Sequence, residues 1–284
     1  FERSISAVTL SVGRMIMKGD LIEKQVAWDD CSISYLQGGK NAIASPILFL
    51  HGWSVGVEPY QDSLNSLAQH YQVIAPYLPG FGKSTALDWV QDYSDYAEVM
   101  INFINILELP KVHVIGHSIG GGIALALAAL KPSLVRSLTI VDSTGIPLGS
   151  PLEVLLRRAI EMPAQMGQMK IEPVLENFKG LLYNSLFHPD KVIQTASMAI
   201  EKDIRLILPR IESPCLVLWG ANDLLTPISF AQEFSQDIKG AKLVVVDGVY
   251  HEWVLFFAEK FTAIVSDFID EVERKSVNNS SGNC

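Results

Sequence analysis

Along the chain, short unbroken runs of aliphatic and β-branched residues alternate with longer stretches whose apolar positions recur every three or four residues. The short runs fall at 33–37, 47–50, 73–76, 112–116, 138–142, 215–220 and 243–246. A strand that is apolar at successive positions is covered on both faces, as in a parallel sheet. The helical stretches lie at 61–70, 93–109, 119–130, 228–235 and 252–274; in the first, Leu64, Leu67 and Ala68 share one face, as an amphipathic helix requires. Strands alternating with helices of this length predict an α/β fold built on a doubly wound, mostly parallel sheet.

The alternation breaks between 146 and 210, where helical periodicity continues without a strand and Pro147, Pro151, Pro163, Pro173, Pro189 and Pro209 punctuate it. This pattern predicts an all-helical cap at 146–210, inserted between a first core segment (1–145) and a second (211–275). The polar residues 276–284 read as a disordered tail. Leu152, Leu155, Leu156, Met162, Met166, Leu181, Leu182 and Phe187 read as an apolar pocket wall or, before that, as the cap's own core, and as a set they favour an uncharged or acyl-chain ligand.

Composition narrows the function classes. The chain has 284 residues, 49% hydrophobic and 19% charged, the reverse of the balance that keeps a chain disordered. A formal charge of −9 argues against a nucleic-acid partner, because phosphates would be repelled. The longest strongly apolar stretch, 123–130, is far shorter than the roughly 18 residues a spanning helix needs, so no transmembrane segment is expected. The mildly apolar stretch 5–17 carries Gly13 and Arg14 without a cleavage signature and does not read as a signal peptide. Cys31, Cys215 and Cys284 lack metal-ligand spacing and cannot all pair, which fits a reducing, cytoplasmic compartment.

The most informative string runs from Val112 to Gly122: an apolar strand, then Gly116-His117-Ser118-Ile119-Gly120, then an apolar helix. G-x-S-x-G between strand and helix makes a sharp turn that presents a nucleophilic serine, and the flanking glycines let helix and strand approach. The helix then begins beneath Ser118, where its first amides favour developing negative charge. A serine needs a base and an orienting acid, and this arrangement places them downstream in the order serine, acid, histidine. Of the two histidines after Ser118, His188 precedes Pro189 in the cap and reads as a helix-start or surface residue. His251 follows a strand, where open α/β sheets place their ligands. The acid is Asp223, just past the run 215–220, with Asp142 as a rival and a turn or helix-capping role as the bland alternative for Asp223. His51, His70, His113 and His117 precede the serine and read as structural, His113 facing out of its strand. The oxyanion donors are expected to be the N–H of Ile119 and that of Trp53, in the loop His51-Gly52-Trp53-Ser54.

These motifs, together with Leu78-Pro79-Gly80-Phe81-Gly82-Lys83-Ser84, occur in an order that resembles the α/β-hydrolase fold superfamily, in its serine-nucleophile esterase and lipase-like group with a helical cap; the resemblance covers roughly residues 26 to 274. It implies Ser118 as nucleophile, His251 as base and Asp223 as its orienter, with an ester or thioester substrate and no cofactor. Family members with an aspartate at the turn hydrolyse epoxides or remove halogen, chemistries that Ser118 argues against. Carbon–carbon bond hydrolysis, perhydrolysis and a weakly catalytic small-molecule receptor stay open as alternatives. The Gly82-Lys83-Ser84 string is not the end of a phosphate-binding loop, because position 77 is Tyr77 rather than glycine. The triple glycine 120–122 offers no dinucleotide fingerprint, and no metal-ligand cluster stands out.

Overall fold

The computed structural model describes residues 8–12, 21–39, 45–53 and 55–281. The strands are β1 (Val8–Val12), β2 (Leu21–Trp28), β3 (Cys31–Gly39), β4 (Ile47–Leu50), β5 (Gln72–Pro76), β6 (Val112–His117), β7 (Val135–Val141), β8 (Cys215–Gly220) and β9 (Lys242–Val246). Among the described residues they form one sheet in the order β1-β2-β3-β5-β4-β6-β7-β8-β9. From β5 to β9 every neighbouring pair is parallel, while β1, β2 and β3 add an antiparallel edge. Every residue of β4, β6 and β8 is buried, as unbroken apolar runs require in strands covered on both faces.

The helices supply that cover. On one face lie α2 (Tyr93–Ile106), α3 (Ile119–Leu130) and α7 (Ile228–Asp237), with Phe103, Ile123, Leu127 and Phe234 in the core they share with the sheet. On the other lie α1 (Gln61–Ala68), α8 (Trp253–Phe256) and α9 (Ala258–Ser281), contributing Leu64, Leu67, Phe261, Val265 and Ile269. The α3 helix is buried all round apart from Leu130, which is why its sequence is apolar on every face.

After β4 the chain builds outward to β5, then crosses back to lay β6 on β4's other side. The carboxyl ends of β4 and β6 therefore flank the topological switch point, where diverging loops leave a crevice.

Three sequence expectations change. The β1 and β2 strands were not legible as strands, because Glu23, Lys24 and Gln25 interrupt β2's apolar pattern on a half-solvated edge. The stretch expected as a single helix from 252 breaks at Phe257 (φ −119°, ψ 54°) into α8 and α9. The α9 helix runs through Ser281, so the disordered tail expected from 276 is helical up to that point; once nucleated, a helix gains a hydrogen bond per added residue even where the residues are polar. Residues 282–284 lie outside the described residues.

Between β7 and β8 the described chain forms three helices, α4 (Pro151–Gln165), α5 (Ile171–Phe187) and α6 (Pro189–Glu201), with a short 3-10 turn between α4 and α5 and another after α6. Ser150 starts α4 with a capping box: its hydroxyl accepts the Glu153 N–H, and Glu153 accepts the Ser150 N–H in return. The expected apolar core of this insertion is not there. Leu152, Leu155, Leu156, Met162, Met166, Leu182 and Phe187 are exposed, and the buried positions of these helices are Pro173, Met198 and Ala199 together with the polar Glu161, Gln165, Asn184, Lys191 and Thr195. The reason is that these helices seat on the sheet domain through hydrogen bonds: Asn184 donates to the Val55 carbonyl at 3.1 Å, and Lys191 Nζ to those of Leu87 (2.7 Å) and Val90 (3.0 Å). Among the described residues no helix is long and apolar enough to cross a membrane.

Candidate active site

The turn from β6 into α3 is set by two glycines that no other residue can replace without displacement. A Cβ at Gly116 would lie 2.2 Å from the Gly120 carbonyl oxygen, and one at Gly120 would lie 2.2 Å from that of Leu50. Between them Ser118 takes φ 54°, ψ −119°, a left-handed strain rarely held by a non-glycine residue. The surroundings hold it there: Ser118 N–H donates to Val141 O at 3.0 Å, and its carbonyl accepts from the N–H groups of Gly121 (2.9 Å) and Thr144 (3.1 Å).

The fold brings Ser118, His251 and Asp223 into one hydrogen-bonded line, all three buried. Ser118 Oγ is 3.1 Å from His251 Nε2, and His251 Nδ1 is 2.8 Å from Asp223 Oδ2. A carboxylate only accepts, so the Nδ1 proton points to Asp223 and neutral Nε2 is left as an acceptor for the serine hydroxyl. Thr226 fixes the carboxylate, its N–H reaching Oδ1 at 2.8 Å and its hydroxyl Oδ2 at 2.6 Å. Asp223 thus holds a local turn as well as the histidine. Asp142, the rival acid, is not directed at His251: it accepts from Gly220 N–H and Trp253 Nε1–H, both at 2.7 Å. Burial first, then the charge of Asp223, push the Asp142 carboxyl well above its ordinary range. Burial alone would disfavour a charged His251, but Asp223, Glu252 and Asp142 overcome it and raise its pKa from 6.5 to about 9.

The loop after β4 is pinned by His51. Its Nε2 accepts the Leu78 N–H at 2.9 Å, which leaves Nδ1–H to donate to the Gly52 carbonyl at 2.8 Å. Burial drops the His51 pKa to about 4, so it stays neutral in this role. In a trans peptide the carbonyl and the following N–H point oppositely, so anchoring Gly52 O turns the Trp53 N–H to the other side of the loop. A Cβ on Gly52 would come within 3.5 Å of the Ser118 Cβ, so this loop sits against the serine. The Trp53 indole donates to Val192 O of α6 at 3.0 Å. The Ile119 N–H opens α3, in the turn whose amides have no intrahelical acceptor. Ser54 lies outside the described residues.

Three contributors were missed from sequence: Thr226, Tyr60 and Glu161. Only Thr226 had a local signal, its spacing of three from Asp223. His117, read as a structural residue at the turn's variable position, is the midpoint of a chain of hydrogen bonds. Gly52 N–H donates to Tyr60 OH (2.9 Å), Tyr60 OH lies 2.7 Å from His117 Nδ1, and His117 Nε2 lies 3.0 Å from the His251 carbonyl. The carbonyl can only accept, so Nε2 carries the proton and Nδ1 accepts from the tyrosine. Burial, with the neighbouring His251 charge, holds the His117 pKa down to about 3, so it is a neutral brace joining three loops. Tyr60→Phe leaves Gly52 N–H and His117 Nδ1 without this partner and is expected to reduce kcat/KM about tenfold, with folding retained, as steady-state kinetics and a thermal melt would show. His113 does not face outward; it is buried, 2.7 Å from Ser137 Oγ and 3.1 Å from Glu273 of α9. His188 sits partly exposed at the junction of α5 and α6.

A mostly parallel sheet, nine-stranded among the described residues, with a serine on the strand-to-helix turn, a histidine on a later loop and a helical insertion before β8 defines an α/β-hydrolase-type fold. The family model described as alpha/beta hydrolase fold matches residues 45–192, and the chain belongs to that family. The pimeloyl-[acyl-carrier protein] methyl ester esterase of Neisseria meningitidis serogroup B is 26% identical over 243 residues, 79% of this chain and 92% of that protein. The 2-hydroxymuconate semialdehyde hydrolase of Pseudomonas putida is 26% identical over 251 residues, covering 80% and 88% of the two chains. Among solved structures, a membrane phospholipase A described as a bacterial virulence factor superimposes with a TM-score of 0.76 at 25% identity, over 89% of this chain and 87% of that one.

Proposed function

We propose that this protein is a serine hydrolase that cleaves a carboxylic ester of a small or medium apolar substrate through an acyl-enzyme. The observation that carries the reading is the line Ser118 Oγ–His251 Nε2 and His251 Nδ1–Asp223, buried beside two candidate oxyanion amides. Ser118 Oγ attacks the ester carbon while His251 Nε2 takes its proton. The carbonyl oxygen gathers negative charge between the N–H groups of Trp53 and Ile119, a contribution of several kcal/mol to barrier lowering. As the tetrahedral species collapses, the carbon–oxygen bond to the leaving alcohol breaks and that oxygen takes the proton from His251. Water then repeats the sequence on the acyl-serine: His251 accepts its proton and returns it to Ser118. Asp223 keeps the Nδ1 proton in place and balances the transient imidazolium.

The apolar side chains that the cap leaves exposed, among them Leu155, Phe178 and Leu186, support an uncharged or acyl-bearing substrate. The esterase and the phospholipase among the similar proteins support ester chemistry, while the semialdehyde hydrolase keeps carbon–carbon cleavage as the rival outcome. The buried thiols of Cys31 and Cys215 accord with a cytoplasmic site of action.

A fluorophosphonate probe tests the reading: wild type labels, and Ser118→Ala abolishes both labelling and hydrolysis of p-nitrophenyl butyrate. Equal labelling of the two, or none of wild type, rejects it. A ring-fission diketone run beside the ester separates carbon–carbon hydrolysis from esterase activity. The pH profile follows from His251, which must be neutral to accept the serine proton. With its pKa raised to about 9, kcat/KM rises with pH along a limb centred well alkaline of the ordinary 6.5. A limb centred at or below the ordinary value would contradict this electrostatic picture.

A further inference from the structure

One carboxylate at the site is not supplied by the sheet domain. Glu161, on cap helix α4, has no exposed surface and reaches the loops that carry Asp223 and His251. Its Oε1 accepts two backbone N–H groups, those of His251 and Leu224, each at 3.2 Å. Leu224 follows Asp223 directly, so one oxygen grips the loop that carries the acid and the loop that carries the histidine. Its other oxygen accepts from Arg158 Nη1 at 2.9 Å, and Arg158 also binds Glu252, the residue after His251. Gln165, one turn further along α4, donates to Glu252 at 2.7 Å. Burying a charge is expensive unless hydrogen bonds compensate, and here the compensation comes from the two segments whose spacing sets the Asp223–His251 contact.

We propose that Glu161 is a positioning residue: by accepting both N–H groups it clasps the acid and base loops together, so that seating α4 on the sheet domain fixes the Asp223–His251–Ser118 geometry. The inference rests on the serine-hydrolase reading. Burial pushes the Glu161 carboxyl up, yet once ionised it adds negative charge near the imidazolium that forms during the reaction, together with Asp223 and Glu252 and against Arg158; Asp142, whose carboxyl burial also pushes up, and His117 on the turn are the remaining titratable neighbours. A residue that only held the cap in place would change affinity for substrate. A clasp on the acid and base loops changes turnover and the protonation of the base.

The test compares wild type, Glu161→Ala and Glu161→Gln on p-nitrophenyl butyrate, with fluorophosphonate labelling rates, pH profiles and thermal melts. Glu161→Ala is expected to lower kcat about 30-fold with KM changed less than about threefold, and to slow labelling in parallel. The ascending pH limb moves acidward by about half a unit in both variants, because the carboxylate charge is gone. Glu161→Gln keeps an oxygen for the two amides and retains more turnover than the alanine variant, with the same limb shift. Folded variants with kcat and pH limb matching wild type overturn the proposal, as does a loss confined to KM. Unfolding of both variants while wild type is active assigns Glu161 to stability alone and also overturns it. A wild type that neither labels nor turns over the ester rejects the underlying hydrolase reading, a result distinct from these.

Discussion

Asp223→Asn is expected to cut kcat about 10⁴-fold, while Asp142→Asn, which alters an equally buried carboxylate, costs turnover about tenfold or less. The difference lies in what each carboxylate holds. Asp223 Oδ2 accepts the Nδ1 proton of His251 and the hydroxyl proton of Thr226, while Oδ1 accepts the Thr226 N–H. In the asparagine variant the oxygen is best kept on the Thr226 N–H, and the amide NH₂ then faces His251 Nδ1. Nδ1 must now accept, the ring proton moves to Nε2, and Nε2 can no longer take the proton of Ser118. Geometry survives and the tautomer is wrong. Asp142, by contrast, receives protons from Gly220 N–H and Trp253 Nε1–H and touches neither histidine nitrogen. Its asparagine variant turns a donor toward the Trp253 indole and loses about 1–3 kcal/mol of stability, seen as a lower melting temperature in an active enzyme. Asp142 is also one of the groups that raise the His251 pKa, so replacing it moves the pH limb acidward. Single-turnover acylation of both variants decides the matter. If Asp142→Asn abolishes acylation and Asp223→Asn does not, the acid has been misassigned.

How much of this was legible in the sequence depends on how local each signal is. The β4 and β8 strands are unbroken apolar runs bounded by turn residues, and their observed limits coincide with the predicted ones. The α3 helix was legible for the same reason, since being apolar on every face admits only a buried helix. The edge was not: β2 holds Leu21, Val26 and Trp28 inward but carries charges between them, and its pairing is decided by β3 rather than by its own pattern. The insertion announced itself through proline spacing, yet its polarity was misread, because apolar residues at helical spacing usually mark a helix's inner face. Here, beside Met198 and Ala199, many of the inner contacts are polar side chains reaching backbone groups of another segment, such as Asn184 to Val55. The same logic divides the site. Ser118, Asp223 and His251 each sit just beyond a predicted strand, where chain order alone suggests their roles. Tyr60 and His117 are 57 positions apart, and Glu161 is 90 from His251. Nothing in the spacing of residues that distant records a shared hydrogen bond.

The largest structural effect is expected at Gly120, which concentrates the fold's constraint on the site. A methyl group there would lie 2.2 Å from the Leu50 carbonyl oxygen and 2.7 Å from that of His51, both backbone atoms at the end of β4. Neither can rotate away, so Gly120→Ala must push α3 off the sheet by about an ångström, through a core packed to crystal-like density. The cost is about 3 kcal/mol, or a fall of roughly 6–12 °C in melting temperature. Function falls by more than stability alone requires, since the displaced strand end carries His51 and the Gly52–Trp53 peptide, and the displaced helix carries the Ile119 amide. The separation between the candidate oxyanion donors widens in the fraction that still folds, so fluorophosphonate labelling slows even well below the melting point. Gly167 provides the control: a methyl group there meets nothing within 4 Å, so Gly167→Ala is expected to stay within about 0.5 kcal/mol of wild type. Urea titration of the three proteins measures the first effect and labelling rates at fixed temperature the second. A Gly120→Ala variant that melts with wild type would mean that α3 and β4 do not meet as closely as this backbone places them.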